Sequence, residues 1–363
     1  MEKYDASDIV KSPRIARLKE NLFRKMPEIE SARAVLLTES YRQTEGMPTV
    51  LRRAHAFAHI LDNIPIIIRD DELIVGSSTL APRSCQTFPE FSFEWLESEF
   101  DTVATRSADP FYISEETKQQ LREVHKYWKG KTTSELATSY MTPETLLAIE
   151  HNIFTPGNYF YNGVGHVTVQ YEKVLRIGYR GIIAEAEAEL DRCKVSDADY
   201  CKRSSFLQAV IISCKAVIRY ARRYAKLAAD MAARCNNQVR VQELLKISEN
   251  CSRVPENGAS SFYEACQSFW FVQQLIQMES SGHSISPGRF DQYMYPYYKA
   301  DRDSGAVTRE FAQELMDCIW IKLNDLNKCR DAASAEGFAG YSLFQNLIAG
   351  GQDKEGRDVT NDL

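Results

Sequence analysis

Apolar side chains recur every three or four residues through residues 205–235, the spacing of one face of an α-helix. A helix of this length cannot bury such a face by itself, so other segments must pack against it. The pattern predicts a helical layer around a shared core. The stripe consists of Phe206, Val210, Cys214, Val217, Ala221, Tyr224 and Ala228.

Further helices are predicted elsewhere in the chain, and two of them have clear start signals. Ser12-Pro13 and Thr142-Pro143 each combine an N-cap residue with proline at the first helical position. Residues 259–279 are apolar almost all round, so this helix is expected in the interior. Other predicted helices cover residues 31–42, 49–61, 90–101, 114–128, 171–190 and 308–326.

Short apolar runs predict strands at two places. Residues 66–68 and 73–75 flank Arg69-Asp70-Asp71 and are typical of a small hairpin. Residues 341–351, YSLFQNLIAGG, have the length and the Gly-Gly ending of a buried strand. The segment 255–259 is predicted to link two helices.

Composition excludes several classes of protein. Of the 363 residues, 44% are hydrophobic and 26% charged, which is typical of a soluble globular chain. The net charge is −6 and basic residues are interspersed with acidic ones, so no nucleic-acid partner is expected. The N-terminus lacks a signal-like apolar core, and no apolar run approaches the ~18 residues of a membrane span. We expect a cytoplasmic protein without a membrane partner.

The nine cysteines are an odd number and include no C-x-x-C pair. Most lie in apolar, helical surroundings, where a free thiol packs as a small hydrophobic group. We expect them to be reduced and structural, and we expect no metal site.

Four of the six histidines carry little functional signal. His55 and His59 lie four residues apart, but the glutamate of the zinc-protease motif is missing, so an ordinary helix face is the preferred interpretation. His125 and His151 lie among charged helical residues and are predicted to be solvated. A solvated face is also predicted for Glu90, Glu94, Glu97 and Glu99.

The other two histidines lie in loops suited to a site. His166 ends the turn Gly163-Val164-Gly165, whose glycines allow close approach of a ligand. His283 lies in a polar loop directly after the buried helix 259–279, and loops on rigid scaffolds often carry function. The pattern alone leaves two roles open for each histidine, a catalytic or binding role and a loop-ordering hydrogen bond.

Residues 279–298, ESSGHSISPGRFDQYMYPYY, resemble the signature stretch of the glycyl radical enzymes, in the branch that dehydrates glycerol and 1,2-propanediol. One departure is Gly288, where we expect alanine in a dehydratase. Nearly the whole chain shares the resemblance. Similar agreement is found in LRRA (51–54), ELIVGS (72–77), KTTSELATSYM (131–141), GNYFYNGVGHV (157–167), IWIKLND (319–325) and QNLIAGGQ (345–352).

The resemblance implies a predominantly helical α/β fold, the first half of a ten-stranded α/β barrel. Residues 1–363 would be the N-terminal part of a pyruvate formate-lyase-like domain, without the C-terminal glycyl radical domain. In this family a glycyl radical oxidises a cysteine to a thiyl radical, which takes hydrogen from the substrate. Both residues are expected beyond this chain, so none of the nine cysteines is assigned as the radical carrier.

The resemblance also implies the partners of the full-length protein. They are a small diol substrate, a radical SAM activating enzyme that installs the glycyl radical, and a second copy in a homodimer. No cofactor is expected to bind to this part itself. The expected location is the cytoplasm, or a bacterial microcompartment within it.

Four residues of this chain are implied at the site. His166 would face the diol and protonate the departing hydroxyl, since hydroxide is a poor leaving group. His283 and Ser284 would hydrogen-bond the hydroxyls, and Tyr341 would line the pocket. We expect the two imidazoles and the serine hydroxyl to converge on one small cavity.

Three alternatives stay open at this point. The choice between glycerol and 1,2-propanediol is undecided. The chain is alternatively a non-catalytic product of a split gene that needs a complementing chain, or part of a related radical lyase for another small polar substrate. For the chain by itself we expect no catalysis, uncovered apolar helix faces and strand edges, and therefore poor solubility or self-association.

Overall fold

A computed structural model describes residues 12–154, 162–163, 165–337 and 343–363. Its helices are α1 (Pro13–Phe23), α2 (Ala32–Gln43), α3 (Thr49–Asn63), α4 (Glu94–Ser98), α5 (Glu115–Trp128), α6 (Thr133–Ser139), α7 (Pro143–Glu150), α8 (Tyr171–Arg192), α9 (Tyr200–Ala232), α10 (Gln238–Arg253), α11 (Phe262–Glu279), α12 (Phe290–Asp303), α13 (Arg309–Asp325) and α14 (Ala332–Gly337). The strands are β1 (Ile29–Glu30), β2 (Cys85–Gln86), β3 (Val167–Thr168) and β4 (Ile285–Ser286). Among these ranges no helix is long and apolar enough to cross a bilayer.

Helix α11 is the central helix of the fold, as its sequence predicts. Almost every side chain from Phe262 to Met278 is buried. One side of the helix joins a core cluster with Tyr220, Tyr224 and α3, and the other joins a second cluster with α12 and α13. The loop that follows α11 is therefore anchored to the most rigid part of the molecule.

The long stripe on α9 packs against α3, α8 and α10, which confirms the predicted helical layer. Its first member is an exception, because Phe206 is 58% exposed. The Phe206 ring borders an open, mostly apolar groove of about 400 Å³, which Val50, Tyr179 and Val210 also line. Only part of the ring is therefore covered by other residues. The expectation that other segments cover the apolar stripe is therefore wrong for its first member.

Helix α8 is kinked at Gly178, which the sequence pattern did not predict. Gly178 has φ +63°, and an added Cβ would lie 2.3 Å from the carbonyl oxygen of Glu256. The kink lets the predicted linker 255–259 approach the helix, where Tyr179 N donates to Pro255 O (2.8 Å). The glycine is required because a side chain would collide with that backbone.

The predicted hairpin over residues 66–75 is wrong. These residues contain no strand, and the side chains of α11 bind the backbone instead. Gln267 accepts from Val75 N (2.9 Å) and donates to Val75 O (2.8 Å), as a neighbouring strand would. Trp270 Nε1 donates to Gly76 O (3.0 Å). A buried polar helix face thus satisfies the groups that a hairpin partner would have bound.

Two small parallel strand pairs lie in the described residues. β1 pairs with β2 in the register Ile29 to Cys85, and β3 pairs with β4 in the register Val167 to Ile285. Residues 343–348 continue the second pair on the far side of β4, where Ser284 N donates to Leu343 O (2.8 Å). Three segments distant in sequence therefore run side by side in the order 167–168, 284–288 and 343–348.

The predicted strand at 341–351 is only partly confirmed. Residues 341 and 342 lie outside the described residues, and the remainder runs parallel to β4 with a single bridge between Leu347 and Gly288. Leu343 is buried, whereas Phe344 and Ile348 are 44% and 53% exposed. The segment is exposed because, in the described chain, it pairs with β4 on one side only.

Candidate active site

The β3–β4 pair places His166 directly beside His283. His166 immediately precedes β3, and its backbone N donates to the His283 carbonyl oxygen at 2.7 Å. Gly165 makes this approach possible, because a Cβ there would lie 2.0 Å from the same oxygen. Both His166 (φ 58°) and Ser284 (φ 57°) have left-handed backbone conformations, which are uncommon away from glycine and concentrate at functional sites.

Hydrogen bonds from separate elements hold the loop between α11 and β4. Gly163 N donates to Ser281 Oγ (2.7 Å). The ammonium of Lys328 donates to the carbonyl oxygens of Ser280 and Gly282. Burial, together with the nearby Arg330 and Arg33, lowers the pKa of Lys328 well below its usual value. Lys328 therefore acts as a donor to backbone carbonyls on both sides of Ser281.

Two arginines bind the C-terminal end of α11, where the loop begins. The fully buried Arg33 donates to Met278 O (2.7 Å), and Arg53 donates to Glu279 O. Cations at this end complement the helix dipole and satisfy carbonyls that have no partner within the helix. Arg33 and Arg53 thereby hold the backbone at the C-terminal end of α11, where the loop that carries His283 begins.

Glu90 forms ion pairs with both arginines, and the prediction that its side chain is solvated is wrong. Its carboxylate is buried and pairs with Arg33 (2.6 Å) and Arg53 (3.0 Å). Burial raises the pKa of Glu90, but the two guanidinium groups outweigh it and leave that pKa below its usual value. The helical period did not indicate this burial because Glu90 precedes α4, which is much shorter than the predicted helix 90–101.

The imidazole of His283 is neutral and has a defined polar neighbour. The residue is 7% exposed, and Arg330 Nη2 donates to His283 Nδ1 at 3.3 Å. Burial first, and then the charges of Arg330, Lys328 and His166, lower the pKa of His283 to about 4. His283 is therefore suited to hydrogen bonding at neutral pH and not to storing a proton.

Gln273, on the buried helix α11, forms hydrogen bonds to groups on or next to the three parallel segments. The Tyr171 hydroxyl, at the start of the helix after β3, donates to Gln273 Oε1. Gln273 Nε2 donates to Ile285 O (2.8 Å) and to Gln345 Oε1 (2.7 Å). One buried amide thus binds a group next to each of the segments that carry the site.

The structure brings three of the four predicted site residues together. His166, His283 and Ser284 lie at the adjoining ends of β3 and β4. His283 and Ser284 are buried, but His166 is exposed, so the expected enclosure is not complete in the described part of the chain. Tyr341 lies outside the described residues.

The other histidines behave as follows. His151 is exposed, as predicted, whereas the prediction that His125 is solvated is wrong. Its ring is stacked on Phe93 at 4.3 Å between centroids, and its Nδ1 lies 2.8 Å from Glu97. His59 contacts Glu39, and the described residues contain no group of three potential metal ligands.

Sequence reasoning missed the polar residues that support the site. Gln273, Lys328 and Arg330 are absent from the predicted set, although each lies near His283 or its strand. A usable signal was present for one of them, since a glutamine inside an apolar, interior helix must find a hydrogen-bond partner there. Lys328 and Arg330 follow α13 without a distinguishing pattern.

Comparison with known proteins identifies the family. The model of the pyruvate formate lyase-like family matches residues 6–363. A solved structure concerned with 1,2-propanediol dehydration in Roseburia inulinivorans is 68% identical, with a TM-score of 0.97, over 99% of this chain and 45% of that one. The glycerol-bound form of the B12-independent glycerol dehydratase from Clostridium butyricum is 57% identical, with a TM-score of 0.93, over 96% of this chain and 44% of that one.

A more distant relative is (2S)-3-sulfopropanediol dehydratase from Klebsiella oxytoca. It is 36% identical over 97% of this chain and 43% of its own length. The chain thus spans less than half the length of each of these proteins. The match along nearly the whole chain, in sequence and in fold, shows that it belongs to the pyruvate formate lyase-like family of glycyl radical enzymes.

Proposed function

We propose that this chain is the N-terminal, substrate-binding part of a glycyl radical lyase that dehydrates glycerol or 1,2-propanediol to an aldehyde. The observation that carries the proposal is the pairing of His166 with His283 across two parallel strands. The two solved relatives of highest identity named above are concerned with 1,2-propanediol dehydration and with glycerol dehydration. The radical-carrying cysteine and glycine would belong to a C-terminal part.

The two histidines have environments that suit different tasks. His283 is buried and neutral, so it serves as a hydrogen-bond partner for a substrate hydroxyl, together with Ser284. His166 lies at the exposed edge of the strand pair, from which it can give a proton to the hydroxyl that leaves. Tyr341 would line the same pocket.

Two cationic side chains lie near His283 and are held by protein acceptors. Lys328 donates to two loop carbonyls, and Arg330 contacts His283 and Asp109. Both cations are therefore engaged by protein acceptors. The preference for a neutral diol over the sulfonated diol named for the Klebsiella relative therefore rests on sequence identity, which is 68% and 57% for the two solved structures and 36% for that relative.

A C-terminal part that carries the glycyl radical, installed by a radical SAM activating enzyme, would supply the cysteine thiyl radical that takes hydrogen from the substrate carbon. The residues of this chain bind and orient the diol, and His166 gives a proton to the hydroxyl that leaves. None of the nine cysteines is assigned the radical role, because none lies in the cysteine loop that the family resemblance implies.

The test is turnover by the complete polypeptide that contains residues 1–363, activated anaerobically by its radical SAM enzyme. Glycerol, 1,2-propanediol, 3-sulfopropanediol and choline are offered separately, and aldehyde formation is measured. We expect turnover of a neutral diol and at least a hundredfold lower kcat in His166→Gln. The exposed His151→Gln is the matched control and should retain activity. Turnover of the sulfonate or of choline alone would replace the diol assignment.

A second candidate, a non-catalytic product of a split gene, follows from the short span of the match. The chain covers only 43–45% of the relatives named above. Sequencing the reading frame downstream separates the two candidates. A frame that encodes the cysteine loop and the glycyl loop supports the enzyme, and an early stop followed by a separate gene supports complementation.

A further inference from the structure

A buried charged cluster formed by Arg330, Asp109 and Arg106 lies next to His283. Arg330 Nη1 lies 3.7 Å from Asp109 Oδ2, and both side chains are 3% exposed. Arg106 Nη1 donates to Arg330 O (2.7 Å), and its Nη2 donates to Asp109 O (2.8 Å). The backbone and the side chain of Arg330 are thus both held in place.

The cluster contacts the imidazole of His283 through a guanidinium group, which can donate hydrogen bonds but cannot accept them. Arg330 Nη2 donates to His283 Nδ1 at 3.3 Å in a buried environment. A guanidinium has five N–H donors, no acceptor, and stays protonated in proteins. Nδ1 must therefore present its lone pair, and the single proton of the neutral ring must be on Nε2.

We infer that Arg330 is a positioning residue, which holds His283 in the Nε2–H tautomer so that the ring presents a fixed donor. The use of that donor toward a substrate hydroxyl rests on the proposed function. A hydroxyl oxygen bound in this way accepts from His283, and its own proton stays available for another group. The orientation of the diol would then depend on a residue that does not touch it.

The alternative is that Arg330 is only structural, through its ion pair with Asp109. The two roles differ in what they do to the imidazole. A purely structural arginine affects the stability of the fold, whereas a positioning arginine determines which ring nitrogen carries the proton. Protonation of His283 at Nδ1 would also place an N–H against the guanidinium, so the positioning role opposes it.

Other charged groups facing His283 act in the same direction and must be held constant. They are Lys328 and His166, whose charges oppose protonation of His283 along with that of Arg330. The behaviour of His283 is therefore compared among variants that change Arg330 alone.

The experiment is nitrogen-15 NMR of the histidine rings in the 363-residue chain, titrated from pH 8 to pH 4. Loss of one ring spectrum in His283→Gln assigns the signal. In the wild type we expect an unprotonated Nδ1 and a protonated Nε2 at every pH well above the pKa of His283, which is lowered to about 4. A protonated Nδ1 at pH 7 would overturn the inference without the need for any variant.

The variants test the cause. Arg330→Met should raise the pKa of His283 by at least one unit, a tenfold change in proton affinity, and let part of the population carry the proton on Nδ1. Arg330→Lys keeps a donor-only cation and should restore the wild-type behaviour. Arg219→Met, which removes an exposed arginine paired with Asp62, is the charge-matched control and should leave His283 unchanged.

The outcomes separate this inference from the proposed function. An unchanged tautomer and pKa in Arg330→Met, with the fold retained, would exclude a positioning role. Failure of the complete enzyme to dehydrate any diol would remove the proposed function and leave the tautomer result standing. If Arg330→Met does not fold, the wild-type tautomer and Arg330→Lys still decide the question.

Discussion

The backbone N of His166 donates to the carbonyl oxygen of His283 at 2.7 Å, so the main chain holds these two residues side by side. A parallel strand pair continues this contact through Val167 and Ile285. Residues 117 positions apart in sequence are thereby held as neighbours, whatever rotamers their side chains adopt.

Replacement of Gly165 by alanine should separate the two strands. The added Cβ would lie 2.0 Å from His283 O and 2.4 Å from His283 N, and both are backbone atoms that cannot move aside singly. We expect a loss of roughly 1–3 kcal/mol in the free energy of unfolding, measured by urea denaturation. Gly337→Ala is the control, because nothing lies within 4 Å of its added Cβ. Equal stability of the two variants would contradict the close approach.

The sequence predicted the helices well and the supporting polar residues poorly. The stripe on α9 and the apolar helix α11 were found because their period is a local property of the chain. The wrong prediction of a hairpin at residues 66–75 reflects long-range contacts, since Gln267 and Trp270 bind the backbone of Val75 and Gly76, 192 and 194 positions away in sequence. Such contacts leave no period in the sequence.

The candidate site shows the same contrast between local sequence patterns, which can be recognised, and long-range contacts, which cannot. His166 and His283 were singled out because glycine-rich loops beside apolar segments are recognisable, and the family resemblance then gave them roles. Their pairing depends on the register between β3 and β4, which cannot be read from either loop alone. Arg330 stayed hidden because an arginine in a connecting segment is usually solvated.

Stability should fall as the pH drops from about 6.5 to about 4, because His283 is neutral in the folded state. Its pKa is lowered to about 4 on folding, so between these values the unfolded chain binds a proton that the folded chain does not. Stability is therefore full above the unfolded pKa and decreases toward the folded one. The difference corresponds to about 3 kcal/mol.

The measurement is the urea midpoint of the wild type and of His283→Gln between pH 7 and pH 4. Carboxylates titrate in the same range in both proteins, so the difference between the two curves isolates the histidine. We expect the wild type to lose more stability on acidification than the variant. Parallel curves would show that His283 titrates normally.

Glu90→Gln should destabilise the protein severely, since Glu90 neutralises two arginines at the end of α11. Arg33 is fully buried, and removal of its partner charge leaves an uncompensated cation there. Breaking a buried pair in this way typically costs about 3–5 kcal/mol. Thermal unfolding followed by circular dichroism checks the prediction. The exposed Glu123→Gln, which loses only its pair with Lys126, should change stability by no more than about 0.5 kcal/mol.

The 363-residue chain should self-associate through the apolar surface formed by α6, α7 and the residues that follow α7. Neither helix has a buried residue, although Leu136 is 60% exposed, Tyr140 84%, Leu147 54% and Ile153 75%. Exposed apolar side chains of this size drive association in water. Sedimentation velocity at increasing protein concentration measures this self-association.

Leu136→Glu combined with Ile153→Lys should shift the distribution toward monomer, because charges at these positions are costly to bury in an interface. Leu245→Glu, at a 47% exposed position on α10, should leave the distribution unchanged. A wild type that stays monomeric at all concentrations would show that this surface does not associate.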